Sequence, residues 1–410
     1  MNIAPFIARR ITFNKQKSFS GFIIRLATVA TALSVAAMII TLAFVNGFQK
    51  TVSEKVFGFW GHMRVQQFEG ERSIVAEETP LDKNDSVVSI LKRTPGIVRV
   101  QPFATKSAVL DKDREIEGVL FKGVESNYNF KNLDQFLVEG RWINFSDTLY
   151  SKEINVSQAV AKLLNMKVND TIAIYFISPG DGKTNTRRLR VAGIFKTGIE
   201  EFDKLFALGD IRLLRRVNNW REDQIGGYEI FLANYEQMDS INTVLYRDLP
   251  FEWVSKTLKE IYPNIFDWLS IQDMNRDVIF IIMAVVAIIN LVTCLLILVL
   301  ERTRMVGILK AVGARNITIQ KIFLYNATLI ATVGIGSGLV VGLGLCYLQL
   351  KTGFITMNET AYYVATAPVD IIWWQVAAVC AGTFLVCFLA LTIPTLIVRG
   401  IKPVKAIQFR

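Results

Sequence analysis

The sequence has few of the residues on which most catalytic and metal sites depend. It contains one histidine, His62, and four cysteines, and every cysteine lies inside a long apolar run. The cysteines are Cys294, Cys346, Cys380 and Cys387. The HExxH, GxSxG and CxxC motifs of common hydrolases and zinc sites do not occur. These absences exclude a disulfide framework in the polar part of the chain. We expect a protein that is not an enzyme and that has no cofactor of its own.

Acidic residues are nearly absent from three segments. Residues 1–25, 301–321 and 399–410 together hold fourteen basic residues and one acidic residue, Glu301. The rest of the chain is slightly acidic, although the whole sequence has a net charge of +10. Basic residues concentrated beside apolar runs follow the positive-inside rule of membrane proteins. We therefore predict that these segments are cytoplasmic and that the chain has no nucleic-acid partner.

Charged residues are also missing from four long apolar runs. The runs are Leu26–Val45, Val278–Leu300, Ile322–Leu350 and Ile371–Val398. As a helix, Val278–Leu300 would be about 35 Å long, which is enough to cross a bilayer. The first run is too long for the core of a cleaved signal peptide. No run has an ionisable residue at its centre, so a carrier for proton-coupled or ion-coupled transport is not evident.

The sequence thus predicts an α-helical membrane protein with four transmembrane helices and a large α+β extracytoplasmic domain inserted between helices 1 and 2. Strand-like alternation and helical periodicity both occur between the first two runs, and Gly140 is a candidate boundary between two lobes there. The predicted segments are 1–21, a cytoplasmic amphipathic segment; 22–46, the first span; 47–276, the periplasmic domain; 277–300, the second span; 301–321, a cytoplasmic loop; 322–350, the third span; 351–370, a short periplasmic loop; 371–398, the fourth span; and 399–410, a cytoplasmic tail. The strands are predicted at Met63–Phe68, Ile97–Leu110, Glu115–Gly123, Thr171–Ile177, Leu189–Thr197 and Tyr228–Ala233.

The cytoplasmic loop at 301–321 contains a short amphipathic pattern. Met305, Ile308, Leu309 and Val312 recur at helical spacing, and Gly313 ends the pattern as a C-terminal glycine does. Periodicity alone does not separate a helix on the membrane surface from an ordinary loop. Because the chain has no energy source of its own, we predict that this helix binds a driving partner.

Residues 178–184 end like a phosphate-binding loop, SPGDGKT. The motif also needs a glycine where Ile177 stands, and a strand pattern rather than a helix follows it. We therefore interpret the segment as the basic tip of a hairpin, with a plain solvated turn as the alternative.

The third apolar run has a row of small residues. Gly334, Gly338 and Gly342 are four residues apart, so they share one helix face on which another helix can approach closely.

Three stretches resemble a known permease family. The segment ERTRMVGILKAVGARNITIQKIFLYNATLI (301–330) and the end from Ile393 to Ala406 resemble the FtsX-like domain of type VII ABC-transporter permeases. The segment FVNGFQKTVSEKVFGFWGHMRV (44–65) and residues 262–314 are similar to the LolC/LolE lipoprotein-releasing permeases, a branch of the same FtsX-like, MacB-type superfamily.

The resemblance implies a multi-pass permease of the bacterial inner membrane, with both termini cytoplasmic and the large domain periplasmic. It would extract triacylated lipoproteins from the outer leaflet and pass them to a periplasmic LolA-like carrier. A separate ATPase of the LolD type, which would bind ATP and magnesium, would drive it, and membrane lipid would surround it. The second permease subunit is either another copy of this chain or a paralogue.

The resemblance also implies roles for particular residues. The ATPase-coupling residues are Met305, Gly307, Ile308, Lys310, Ala311, Gly313, Ala314 and Arg315. The lipoprotein cavity is expected to be lined by Met38, Leu42, Val45, Phe48, Phe280 and Met283. The carrier-binding hook corresponds to Ile177, Ser178, Pro179, Gly180, Lys183 and Arg187.

Two other functions agree with the same features. One is a mechanotransmitting permease of the FtsX or MacB type, acting in efflux or cell-envelope regulation. FtsX has a smaller outer domain, and MacB-type permeases carry a fused N-terminal ATPase. The other is a membrane scaffold or sensor that transports nothing.

Overall fold

The computed structural model describes residues 19–67, 79–145, 149–177 and 184–395. The chain forms two compact units. We call Met1–Lys50, Leu269–Thr356 and Thr366–Arg410 the helical unit. We call Thr51–Trp268 and Met357–Ala365 the sheet unit. Most of the predicted cytoplasmic segment 1–21 and all of the predicted tail 399–410 lie outside the described residues.

The described helices differ greatly in length. In chain order they are α1 (Phe19–Trp60), α2 (Asp85–Arg93), α3 (Gln158–Leu163), α4 (Glu200–Leu205), α5 (Ile211–Val217), α6 (Met238–Asp248), α7 (Leu258–Ile261), α8 (Pro263–Glu301), α9 (Thr303–Ala311), α10 (Asn316–Thr352), α11 (Glu359–Tyr362) and α12 (Trp373–Thr395). Short 3₁₀ turns occur at Phe130–Asn132, Asp134–Phe136 and Tyr235–Gln237.

The described strands all belong to the sheet unit. They are β1 (Met63–Gln67), β2 (Leu81–Asp82), β3 (Ile97–Lys112), β4 (Glu115–Val124), β5 (Leu137–Gly140), β6 (Glu153–Ser157), β7 (Thr171–Ile177), β8 (Thr184–Phe195), β9 (Phe206–Asp210), β10 (Gln224–Ile225), β11 (Gly227–Leu232) and β12 (Trp253–Thr257).

Three of the described helices are long and apolar enough to cross a membrane. They are Gly21–Trp60, Pro263–Glu301 and Asn316–Thr352. The fourth predicted span coincides with α12, whose apolar stretch is the shorter Trp373–Leu389, so a fourth crossing stays a prediction. The helix α8 begins at Pro263, well before the predicted start of the second span at residue 277.

The glycine row of α10 packs against α1. An added Cβ at Gly334 would lie 2.9 Å from the Thr31 Cβ. An added Cβ at Gly338 would lie 2.5 Å from the Ala32 carbonyl oxygen, and one at Gly342 would lie 3.2 Å from the Ala36 Cα. The backbones of α1 and α10 therefore approach more closely than any residue with a side chain would permit.

The sheet unit is built on one mixed sheet of ten strands in the order β12-β1-β11-β3-β4-β9-β6-β8-β5, with β7 paired to β3 and β8. All six predicted strands are present, and most of their ends shift by one or two residues, but β8 begins at Thr184, five residues before the predicted start at Leu189. The chain on both sides of Gly140 contributes to this sheet and to one compact unit, so the predicted division at Gly140 is wrong.

A buried ion pair fixes the end of α1 inside the sheet unit. Lys122 and Glu229 are fully buried and their charged atoms are 2.5 Å apart. Lys122 also donates a hydrogen bond of 2.7 Å to the Phe59 carbonyl and lies 4.0 Å from the centre of the Trp60 ring. The Tyr128 hydroxyl donates to Glu229 at 3.3 Å. The hydrogen bond to Phe59 links this ion pair to the last turn of α1, and removing either charged partner would leave a buried charge without compensation.

The segment Met357–Ala365 belongs to the sheet unit, although it connects two helices of the helical unit. Glu359 pairs with Lys196, and the Tyr363 hydroxyl donates to Glu201 at 3.0 Å. Lys55 donates to the Tyr363 carbonyl at 2.7 Å. These contacts are non-local, which explains why the sequence predicts only a loop there.

The single histidine gives the sheet unit a pH-dependent stability. Burial lowers the pKa of His62 to about 4, and its Nδ1 accepts a hydrogen bond of 3.1 Å from the Leu232 amide. The folded state therefore favours the neutral imidazole. This contribution is complete above the ordinary histidine pKa of about 6.5 and is lost as the pH falls toward 4.

We expect the free energy of unfolding to fall by about 3 kcal/mol between pH 6.5 and pH 4 because of His62. Thermal unfolding of the full chain in detergent across this range would measure the change. A His62→Asn variant, which keeps an acceptor, should flatten the slope between pH 6.5 and 5. An unchanged slope would contradict the assignment of the pH dependence to His62.

The Glu153 carboxylate does not titrate in this pH range. Burial alone would raise its pKa, but hydrogen bonds from Arg141, the Asn144 amide and Arg190 outweigh the burial and lower the pKa to about 2.

Candidate functional site

The helical unit contains an open groove between α1, α8 and α12. Its volume is about 440 Å³. The lining residues are Met38, Leu42, Arg276, Asp277, Phe280, Ala284, Trp374, Gln375, Ala378, Val379, Gly382, Thr383, Val386 and Cys387. Most of these side chains are apolar, and the charged ones lie together at one end. A groove with this lining is suited to an amphiphile rather than to a fully polar solute.

Small residues on α8 and α12 create the space. Ala284, Ala378 and Gly382 line the groove, and among the described residues no atom beyond the chain neighbours and nearby backbone of its own helix lies within 4 Å of the position that a Cβ on Gly382 would take. The α1 wall is held at one end by a hydrogen bond of 2.5 Å from the Asn46 amide to the Gln375 side-chain oxygen. Lys50 forms an ion pair of 3.3 Å with Asp370 nearby.

The predicted cavity residues are divided between this groove and the packing around it. Met38, Leu42 and Phe280 line the groove. Met283 packs beside it against a core cluster that includes Val35 and Ile39. Val45 and Phe48 are buried on α1 and are not among the lining residues. The α12 wall was missed in the sequence, because a uniformly apolar run gives no indication of which face is open.

The short helix α9 lies in the predicted cytoplasmic loop. It ends in a Schellman arrangement, in which the Gly313 amide donates to the Lys310 carbonyl and the Ala314 amide donates to the Leu309 carbonyl. Gly313 has a φ of +93°, a conformation that favours glycine. Gly313, which was predicted to end the helix, therefore ends it because its backbone adopts a left-handed conformation.

The two faces of α9 differ in exposure. Val306 and Gly307 are buried, and Met305, Leu309 and Ala314 pack against the core of the helical unit. Ile308 is 50% exposed and Val312 is 82% exposed, although both are large and apolar. Met305 is half-buried and packs against its own chain, so Ile308 and Val312 are the more accessible members of the amphipathic pattern. The role of Met305 in ATPase coupling stays a prediction.

The outward face of α9 is apolar at its centre and basic at its ends. Arg304, Ala311, Gly313 and Arg315 are exposed beside Ile308 and Val312, whereas Lys310 is half-buried. Exposed apolar residues ringed by charges are typical of protein-binding surfaces.

The hairpin β7–β8 carries the residues predicted for carrier binding. Its strands pair in continuous register from Thr171 with Arg190 to Ile177 with Thr184. Ile177 is exposed at the end of β7, and Arg187 is half-buried. Ser178, Pro179, Gly180 and Lys183 lie outside the described residues.

Two protein-family models match this chain. The model of the MacB-like periplasmic core domain matches residues 26–242, which is more than half of the chain. The chain belongs to the MacB/FtsX-like permease family. The model of the FtsX-like permease C-terminal domain matches residues 278–403, a range that includes α9 and the glycine row of α10.

Curated relatives of this permease match it along its whole length. A LolC lipoprotein-releasing transmembrane protein of Xylella fastidiosa is 20% identical over 98% of this chain and 97% of its own. A LolE protein of Haemophilus influenzae is 24% identical over the full length of both chains. The solved periplasmic region of MacB from Actinobacillus actinomycetemcomitans is 15% identical, covers 50% of this permease and 91% of its own chain, and has a TM-score of 0.34.

The permease therefore combines a membrane part with a MacB-like periplasmic domain, as the resemblance in the sequence implied. Its candidate functional surfaces are the groove, the outward face of α9 and the β7–β8 hairpin.

Proposed function

We propose that this permease extracts lipoproteins from the outer leaflet of the inner membrane and passes them to a periplasmic carrier. The observation that carries the proposal is the similarity to LolC and LolE over 97–100% of their lengths. The groove supports it, because Met38, Leu42 and Phe280 offer an apolar surface to acyl chains. Each buried methylene group contributes about 0.8 kcal/mol, so several are needed to hold a chain against the bilayer.

The energy for extraction would come from a separate ATPase of the LolD type bound to α9. Met305 and Leu309 fix the helix to the helical unit, while Ile308 and Val312 remain available to the partner. A force on the outward face would then pass into the packed core that contains Val306. ATP and magnesium would be bound by that partner.

The hairpin β7–β8 would receive the carrier, a LolA-like protein. Its basic residues, including Arg187 and Arg188, suit an acidic or polar partner surface. Deletion of residues 178–185 should stop transfer to the carrier and leave binding of lipoprotein by the permease unchanged. Transfer at the normal rate would contradict this role.

A photoreactive amino acid at Leu42 is expected to cross-link to lipoprotein in the purified complex before ATP is added. The physical reason is that Leu42 lines the groove and is 9% exposed, so only a ligand within the groove can reach it. A photoreactive group is preferable to an engineered thiol, because the native Cys387 lies in the same groove. Mass spectrometry of the adduct would identify the ligand.

The control is the same group at Val340, which is apolar and 72% exposed on α10 and does not line the groove. Equal adducts at both positions, or an adduct at neither, would count against the groove as the cargo site.

A second candidate function is mechanotransmission of the MacB type, in which no substrate crosses or leaves the membrane. The match of residues 26–242 to the MacB-like periplasmic core domain favours it. ATP-dependent release of lipoprotein from reconstituted vesicles separates the two functions, since only the extraction function requires it.

A further inference from the structure

The groove has a charged end that extraction of acyl chains does not explain. Arg276 and Asp277 both line it, and both lie on α8. The Arg276 Nη1 is 2.8 Å from the Asp273 carboxylate, and its Nε is 3.0 Å from the Asp277 carboxylate. Asp277 lines the groove together with Arg276, and Asp273 contacts Arg276 from outside the lining, so this charged cluster has one positive and two negative groups. An arginine side chain has five N–H donors, so part of its donor capacity remains for a ligand.

The apolar part of the groove is long enough to hold one acyl chain across one leaflet of the bilayer. It runs along α12 from Gln375 to Cys387, a rise of about 18 Å at 1.5 Å per residue. The hydrocarbon core of a bilayer is about 30 Å thick, so one leaflet provides about half of that depth. The acyl chain can occupy the open space beside Gly382.

The charged residues at the end of the groove favour some phospholipid headgroups over others. An anionic phospholipid would bring a phosphate to a cluster that already has an excess of negative charge. A zwitterionic phospholipid brings a phosphate for Arg276 and an ammonium group for Asp277, so both signs are matched.

We propose that this groove holds a resident zwitterionic phospholipid, with its phosphate on Arg276, its ammonium group on Asp277 and one acyl chain beside Gly382. The ligand is a structural membrane lipid and not the cargo, so the proposal goes beyond the proposed function. If that function also holds, an acyl chain of the cargo must displace the resident lipid, because Met38, Leu42 and Phe280 line the same groove.

Native mass spectrometry of the full chain in detergent tests the proposal with two probes of equal acyl composition, phosphatidylethanolamine and phosphatidylglycerol. We expect phosphatidylethanolamine to be retained at least tenfold more strongly. An Asp273→Asn and Asp277→Asn double variant should reverse this preference, because Arg276 then leaves the end of the groove positive. Equal retention of both lipids by the unaltered chain, or an unchanged preference in the double variant, would overturn the headgroup assignment.

A Gly382→Leu variant tests the place of the chain. Its side chain should fill the groove and reduce retention of phosphatidylethanolamine at least tenfold. The matched control is Gly344→Leu, since Gly344 also has no neighbour within 4 Å but lies on α10, outside the groove. Equal retention by both leucine variants would overturn the placement. If Gly382→Leu fails to fold, the charge variants decide the proposal. No cargo, ATP or partner protein is present, so failure of the transport function would leave these results unaffected.

Discussion

Leucine in place of Gly338 is expected to separate α1 from α10 and to destabilise the helical unit by about 3 kcal/mol. Even a Cβ at this position would lie 2.5 Å from the Ala32 carbonyl oxygen and 2.9 Å from the Val35 Cβ. The first of these neighbours is backbone and cannot rotate away. The midpoint of thermal unfolding in detergent, together with the fraction of monodisperse protein after size-exclusion chromatography, would measure the loss.

The chain provides a matched control for this substitution. Gly344 lies on the same helix, and no other part of the described chain comes within 4 Å of its Cβ position. The Gly344→Leu variant should therefore unfold at nearly the temperature of the unaltered chain. Alanine variants at the same two positions test a smaller side chain. Gly338→Ala should be destabilised by about 1–3 kcal/mol, and Gly344→Ala should be nearly as stable as the unaltered chain. Similar unfolding temperatures for Gly338→Leu and Gly344→Leu would show that α1 and α10 do not depend on this close approach.

Aspartate at Ile308 and Val312 is expected to uncouple the permease from its ATPase while the fold persists. Both side chains are largely exposed, so the substitutions remove little internal packing. If they form the centre of the ATPase-binding surface, each should cost at least about 2 kcal/mol of binding energy, or roughly thirty-fold in affinity. Binding of the purified ATPase to the permease in detergent, followed by ATP-dependent lipoprotein release, would measure the effect.

Two other variants make this result interpretable. Phe251→Asp changes a side chain that is 98% exposed in the sheet unit, and it should leave ATPase binding unchanged. Met305→Asp introduces a charge into the core contact of α9, and it should lower the unfolding temperature. Unchanged ATPase affinity in the double aspartate variant would refute the assignment of the outward face. Gly307, which is buried, is a poor position for this test, because a charge there would disturb the fold itself.

Two of the strands that the sequence did not predict, β6 and β9, share a physical property. All residues of β6 and β9 are buried, and both strands have a parallel neighbour in the interior of the sheet. A strand buried on both faces has no alternation of apolar and polar residues, so the period of two is absent. Strand β7, which alternates between exposed and buried positions, was predicted with its observed bounds.

The sequence by itself determined the features that depend on neighbouring residues. The apolar runs, the basic segments, the end of α9 at Gly313 and the pairing of β7 with β8 all follow from local composition and spacing. The resemblance of residues 44–65 and 262–330 was enough to indicate the family to which the two family models assign the chain.

The tertiary structure alone decided which faces are covered. It packed Met305 partly against the core of the helical unit and left Ile308 half-exposed, although one periodic pattern contains both. It also opened the groove at Gly382 and placed Arg276 between two aspartates at its end. For the groove, the physical reason is that a helix in a membrane is apolar on every side, so hydropathy does not distinguish the face against lipid from the face against protein. Only the packing of distant segments makes that distinction.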